Sequence, residues 1–100
     1  MEHQIKLIAE AIKSQATRML VESHVKEVMM GDNGHLTLEV DNAQPLHSLS
    51  EKENDEHLRK ALEAVYGDAV ETYELKLHKS AKPYDRGRRF FGKIKGDHNA

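Results

Sequence analysis

Val25-Lys26-Glu27-Val28-Met29-Met30-Gly31-Asp32-Asn33-Gly34-His35-Leu36-Thr37-Leu38-Glu39-Val40-Asp41 is the stretch that decides the fold. Two apolar runs flank a turn rich in Gly, Asp and Asn, the signature of a β-hairpin. The second run alternates, with Leu36, Leu38 and Val40 against Thr37, Glu39 and Asp41, so one face is apolar and one polar. A two-residue Asn33-Gly34 turn sets Met29 opposite Leu38 and Glu27 opposite Val40. A three-residue loop with Gly34 in the left-handed bulge position sets Met30 opposite Leu36 and Val28 opposite Leu38. A one-residue slip exchanges the faces of a strand, and only the second register gathers these apolar side chains on one face. That register is expected, with a frayed or bulged end where Lys26 meets Val40.

Upstream, Ile5, Ile8, Ala9, Ile12, Ala16, Met19 and Leu20 recur at three- and four-residue steps, which predicts one helix over about residues 3–22. Downstream, Asn42 to Leu49 reads as a loop, because Pro45 bars a central strand. Ser50-Glu51-Lys52-Glu53 reads as a capping box opening a second helix. Leu58, Ala61, Leu62 and Val65 stripe that helix, and Gly67 is placed to end it. Residues 70–78 alternate again, with Tyr73, Leu75 and Leu77 inward and Thr72, Glu74 and Lys76 outward. The helix between the second and third strands makes those strands parallel. The pattern leaves open which strand the third one joins.

The predicted fold is therefore α+β, a two-layer sandwich in the order αββαβ. A three-stranded mixed sheet carries two helices on one face. One hundred residues make one domain, here residues 1–78, followed by residues 79–100 as a mobile basic, aromatic tail. Charge separates the two: residues 1–78 hold 15 acidic and 8 basic residues, a sum of −7, and residues 79–100 hold 7 basic and 2 acidic, a sum of +5.

Composition excludes several chemistries. With no cysteine there is no disulfide, thiolate metal site or cysteine nucleophile, which fits a cytoplasmic protein. Apolar runs are too short to span a membrane, and charges interrupt the first helix, so no membrane segment or secretory signal is expected. The seven histidines are His3, His24, His35, His47, His57, His78 and His98. No two share helical ligand spacing. His47 and His57 approach through the loop without an evident third ligand, so no metal and no cofactor are expected. Ser48 and Ser50 near His47 form no triad, and the acidic residues at 51–56 belong at a helix start. No catalytic residue is assigned, and the chain reads as a non-enzyme.

What folding leaves unexplained is the tail. Arg86, Arg88, Arg89, Lys93 and Lys95 interleave with Tyr84, Phe90 and Phe91. Cations neutralise phosphates and rings stack on unpaired bases, so single-stranded nucleic acid is one candidate partner. A protein partner anchored by the rings is another. Phe90-Phe91 folding back over the core, or a solvated end without a role, are the structural alternatives. The acidic body opposes a broad nucleic-acid surface.

The strand His35-Leu36-Thr37-Leu38-Glu39-Val40, the helix end Leu58-Arg59-Lys60-Ala61-Leu62-Glu63-Ala64-Val65-Tyr66-Gly67 and the closing strand together resemble a known pattern over residues 3–78. It is similar to KH-like modules of bacterial replication proteins: the C-terminal module of the DNA polymerase III tau subunit and the DciA-type helicase recruiters. In these an L-x-L-x-V strand precedes a helix ending in Tyr/Phe-Gly before the last strand. The RNA-clamping KH form carries a GXXG loop between two helices, and no such tetrapeptide stands between helices here. Tryptophan, frequent in the first helical region of DciA-type domains, is absent. The resemblance implies a binding module of a replication or nucleic-acid-handling assembly and assigns no site residue. A small protein–protein adaptor, working through a sheet edge or the tail, is the alternative.

Overall fold

The computed structural model describes residues 2–81 and 87–94. Its elements are α1 (Glu2–Ala11), α2 (Gln15–His24), β1 (Val25–Met30), β2 (His35–Val40), α3 (Ala43–Ser50), α4 (Lys52–Tyr66), β3 (Thr72–Leu77) and β4 (Arg89–Lys93). The class is α+β, as the sequence implies, but the sheet has four strands and the order is ααββααββ. Strands run β1-β2-β3-β4 across the sheet.

The hairpin takes the expected register. Met30 faces Leu36 and Val28 faces Leu38, and the ladder shifts between Val25 and Glu27, so the expected bulge absorbs Lys26. The loop Asp32–Gly34 turns through left-handed backbone at Asn33 (φ 61°) and Gly34 (φ 73°). β3 joins β2 in parallel, which settles the position the sequence left open. β4 then pairs antiparallel with β3.

The single first helix is two. Ser14 is extended and its hydroxyl accepts from the Thr17 amide at 3.3 Å, which starts a new helix. Arg18 donates to the Ile12 carbonyl at 2.9 Å, a group the break leaves without a helical partner. The break changes which side of the second segment is buried. Thr17 and Val21 face the core, while Met19, expected inward, is 57% exposed. Thr17 Oγ1 donates to Asn54 Oδ1 at 2.6 Å, and Asn54 in turn donates to the Ser48 carbonyl at 2.8 Å. This partly buried relay ties α2 to α4 and α3.

The expected loop at 42–49 is the helix α3. Asn42 caps it by accepting from the Gln44 amide at 3.1 Å. Pro45 bars a strand but fits the first helical turn, where its missing N–H has no partner to lose. The capping box does not form: Ser50 Oγ donates back to the His47 carbonyl at 2.7 Å, and Glu51 opens α4 without a side-chain cap. Gly67 ends α4 as expected, at positive φ (59°) but with ψ −132°, outside the left-handed helical conformation expected of the cap.

One core unites the layers. Ile8, Ile12, Val21, Leu49, Leu58 and Leu62 from the helices meet Leu36, Leu38, Val40, Tyr73, Leu75 and Leu77 from the sheet. The Tyr73 hydroxyl donates to Asp55 of α4. The far face of the sheet has no layer over it among the described residues.

β4 corrects the reading of residues 79–100 as a mobile tail. Residues 89–93 are a strand, Phe90 packs against the core, and Ile94 is buried. The Ile94 amide donates to Glu71 O at 2.8 Å, and the Glu71 amide donates to Gly34 O at 2.7 Å, so the end of β4 is tied to the hairpin turn.

Candidate functional site

Strand alternation divides the tail residues between two faces. Phe90 points inward and its ring lies 6.1 Å from that of Tyr73. It is a packing residue, not a surface contact as first expected. Arg89, Phe91 and Lys93 are exposed on the open side of the sheet. Arg88 is exposed just before the strand. Tyr84, Arg86 and Lys95 lie outside the described residues.

Register sets what these three meet. Arg89 is level with Lys76, Phe91 with Glu74, and Lys93 with Thr72. The next strand brings Glu39, Thr37 and His35 into the same rows. β1 adds Glu27 opposite Glu39 and Met29 opposite Thr37. The open face therefore grades from two glutamates on the β1–β2 side to Lys76, Arg89 and Lys93 on the β3–β4 side.

At its centre lies Glu74, only 8% exposed although it points away from the core. Its Oε1 is 3.3 Å from His35 Nε2 and its Oε2 is 3.3 Å from Arg89 Nε. The second contact is an ion pair without hydrogen-bond geometry. A carboxylate this covered needs both partners to offset its lost hydration. His35 Nδ1 lies 2.8 Å from Thr72 Oγ1, so the ring is held at both nitrogens. The His35 and Phe91 rings sit 6.5 Å apart at 31°. Phe91 remains 62% exposed, the most open large apolar side chain among the described residues. The result is a fixed imidazole beside a presented phenyl ring, bordered by cations.

Sequence alternation had already placed Thr37, Glu39, Thr72, Glu74 and Lys76 on this face. It missed His35, whose part depends on β4 lying two strands away. The signal available was position: His35 shares the parity of Thr37 and Glu39.

His47 faces Glu51, the residue that follows its helix, at 3.7 Å, and no third ligand group joins it to His57 among the described residues. His78 and Ser80 bond to each other at 2.9 Å, and the Ser80 amide also reaches His78 Nδ1, which is the chemistry of an exposed turn. The shallow concavities on the helical side are lined by mixed groups such as Ile5, Lys6, Glu22, Val25 and Lys26. Another is lined by Leu20, His24, Asn42, Gln44, Pro45 and Ser48. Among the described residues no helix is long and apolar enough to cross a membrane.

Comparison with protein-family models, curated proteins and solved structures finds no match to this chain.

Proposed function

We propose that this chain is a non-enzymatic, KH-like binding module of a nucleic-acid-handling or replication assembly, and that it holds single-stranded nucleic acid on the β3–β4 side of its open sheet face. One observation carries the reading. β4 sends Phe90 into the core and turns Arg89, Phe91 and Lys93 out beside His35. An exposed ring flanked by cations offers a base a stacking surface and its phosphates a counter-charge. The acidic β1–β2 side confines the strand to one half of the face. The earlier resemblance to KH-like replication modules supports the same class of partner.

The test is titration of a fluorescent single-stranded oligonucleotide at rising salt. Because β4 completes the sheet, point substitutions isolate the contact better than truncation does. Phe91→Ala is expected to weaken binding about tenfold, the scale of one lost base stack. Lys93→Ala is expected to lower the salt slope by about 0.7, one phosphate contact. No binding at low salt, or binding indifferent to both changes, rejects the reading.

A second reading rests on β1. It is an edge strand, and Met29 and Met30 are 41% and 51% exposed. Such an edge suits strand addition by a protein partner. A chain that stays monomeric at high concentration and captures no partner through β1 rejects it.

A further inference from the structure

Apart from the cation-and-ring half of the open face, its opposite corner gathers a different chemistry. Glu27 of β1 and Glu39 of β2 face each other across the ladder. His78 follows β3, and its backbone amide donates to the Val40 carbonyl at 2.8 Å, which sets it beside Glu39. One carboxylate oxygen from each glutamate and one imidazole nitrogen lie within 4.8 Å of one another. We infer that Glu27, Glu39 and His78 form a binding site for a divalent transition-metal ion of the zinc class.

Three features argue for it. The first is donor set. Two carboxylates and an imidazole suit zinc, cobalt or nickel, whereas magnesium and calcium prefer all-oxygen shells. Ligand bonds of about 2.0–2.2 Å require donor atoms to close by roughly an ångström, which glutamate rotamers on a surface allow. The second is charge. Like charges directly opposite on adjacent strands repel. Lys76 Nζ relieves Glu39 from 4.0 Å, but no described cation pairs with Glu27. A dication answers both carboxylates at once and displaces Lys76 from Glu39. The third is the support of the imidazole. Ser80 Oγ lies 2.9 Å from His78 Nδ1. The Ser80 amide also donates to Nδ1 at 3.2 Å, so hydroxyl and amide together fix the orientation of the ring beside Glu39.

The site came together only through the fold. Glu27, Glu39 and His78 are far apart in sequence and none shares a helical spacing with another. That is why reading the histidines along the chain gave no metal site.

The experiment is calorimetric titration of the full chain with Zn2+, repeated with Co2+ as a spectroscopic probe and with Mg2+ as competitor. One ion per chain is expected, undisturbed by Mg2+. Glu39→Gln and His78→Ala should each weaken it about tenfold or more, since even outer-shell losses reach that scale. Lys76→Met should tighten it. His47→Ala, which removes a histidine–glutamate pair on the helical side, should bind as the parent does. Backbone amide spectra give a second readout independent of the variants' folding: the signals of residues 27, 39 and 78 should move first on adding Zn2+. The site is overturned if no stoichiometric ion binds or if Glu39→Gln and His78→Ala bind as the parent does. Amide shifts that begin around residues 47–51 overturn it as well.

Discussion

Gly92 lies directly opposite Tyr73 on the β3–β4 ladder, and a Cβ built on it would stand 2.5 Å from Tyr73 Cε1. The ring cannot step aside. It is fully buried, and its hydroxyl is held by Asp55. A side chain at 92 must therefore push β4 off the sheet. Gly92→Ala is expected to cost about 1–3 kcal/mol, the usual range for overpacking. Urea denaturation measures the loss, and amide exchange locates it: protection should fall at residues 89–94 before it falls in β1. Unchanged stability would mean that β4 does not dock on Tyr73.

The same tyrosine sets an alkaline limit to stability. Burial, then the hydrogen bond to Asp55 and its charge, raise the Tyr73 pKa far above the ordinary 10.0, with Arg59 acting the other way. In the unfolded chain the phenol ionises near pH 10, while in the fold it keeps its proton. Above that pH the unfolded state binds fewer protons, so stability falls as pH rises. The contribution is whole below about pH 10 and fades above it by about 1.4 kcal/mol per pH unit. Tyr66, raised by burial, acts in the same direction. Tyr73→Phe should remove its own share of the alkaline slope. At neutral pH it should cost about 1 kcal/mol for the lost hydrogen bond. Denaturation at a series of pH values separates the two effects.

Legibility followed the range of the interactions. The hairpin register was readable because a slip would have exposed Leu36 and Leu38, a penalty written in adjacent residues. Gly67 was readable because its need for positive φ is local. β4 was not, because Phe90 becomes a core residue only where Tyr73 and Leu75 already form a surface for it. A five-residue run with two cations and a glycine has no strand pattern of its own. At 42–49 the proline argument was sound against a strand but silent about a first helical turn. The candidate face was half legible: its polar parity was in the sequence, and its pairing of His35 with Phe91 was not.

The break at Ser14 shows how a single cap outweighs a helical period. Ile5 to Leu20 keep three- and four-residue spacing throughout, and yet the second half rotates so that Thr17 and Val21 are buried. Ser14→Ala removes the acceptor for the Thr17 amide and is expected to cost about 0.5–2 kcal/mol. Thermal denaturation checks it. A gain in stability would show instead that the continuous helix is the better packed alternative, since alanine favours it.

Phe90 and Phe91 are neighbours with opposite roles, and that separates folding from binding. Phe90 is half-buried against Tyr73, so Phe90→Ala should lower stability by about 2 kcal/mol, less than a fully buried phenylalanine loses. Phe91 is exposed beside the His35 ring and should leave stability within about 0.5 kcal/mol when truncated. Oligonucleotide affinity, measured where both variants are fully folded, should reverse the order. Phe91→Ala loses a stacking surface, and Phe90→Ala keeps it. If both variants bind alike, Phe91 is merely an exposed ring. If Phe90→Ala is the weaker binder while folded, the nucleic acid reads the placement of β4 rather than the face it presents.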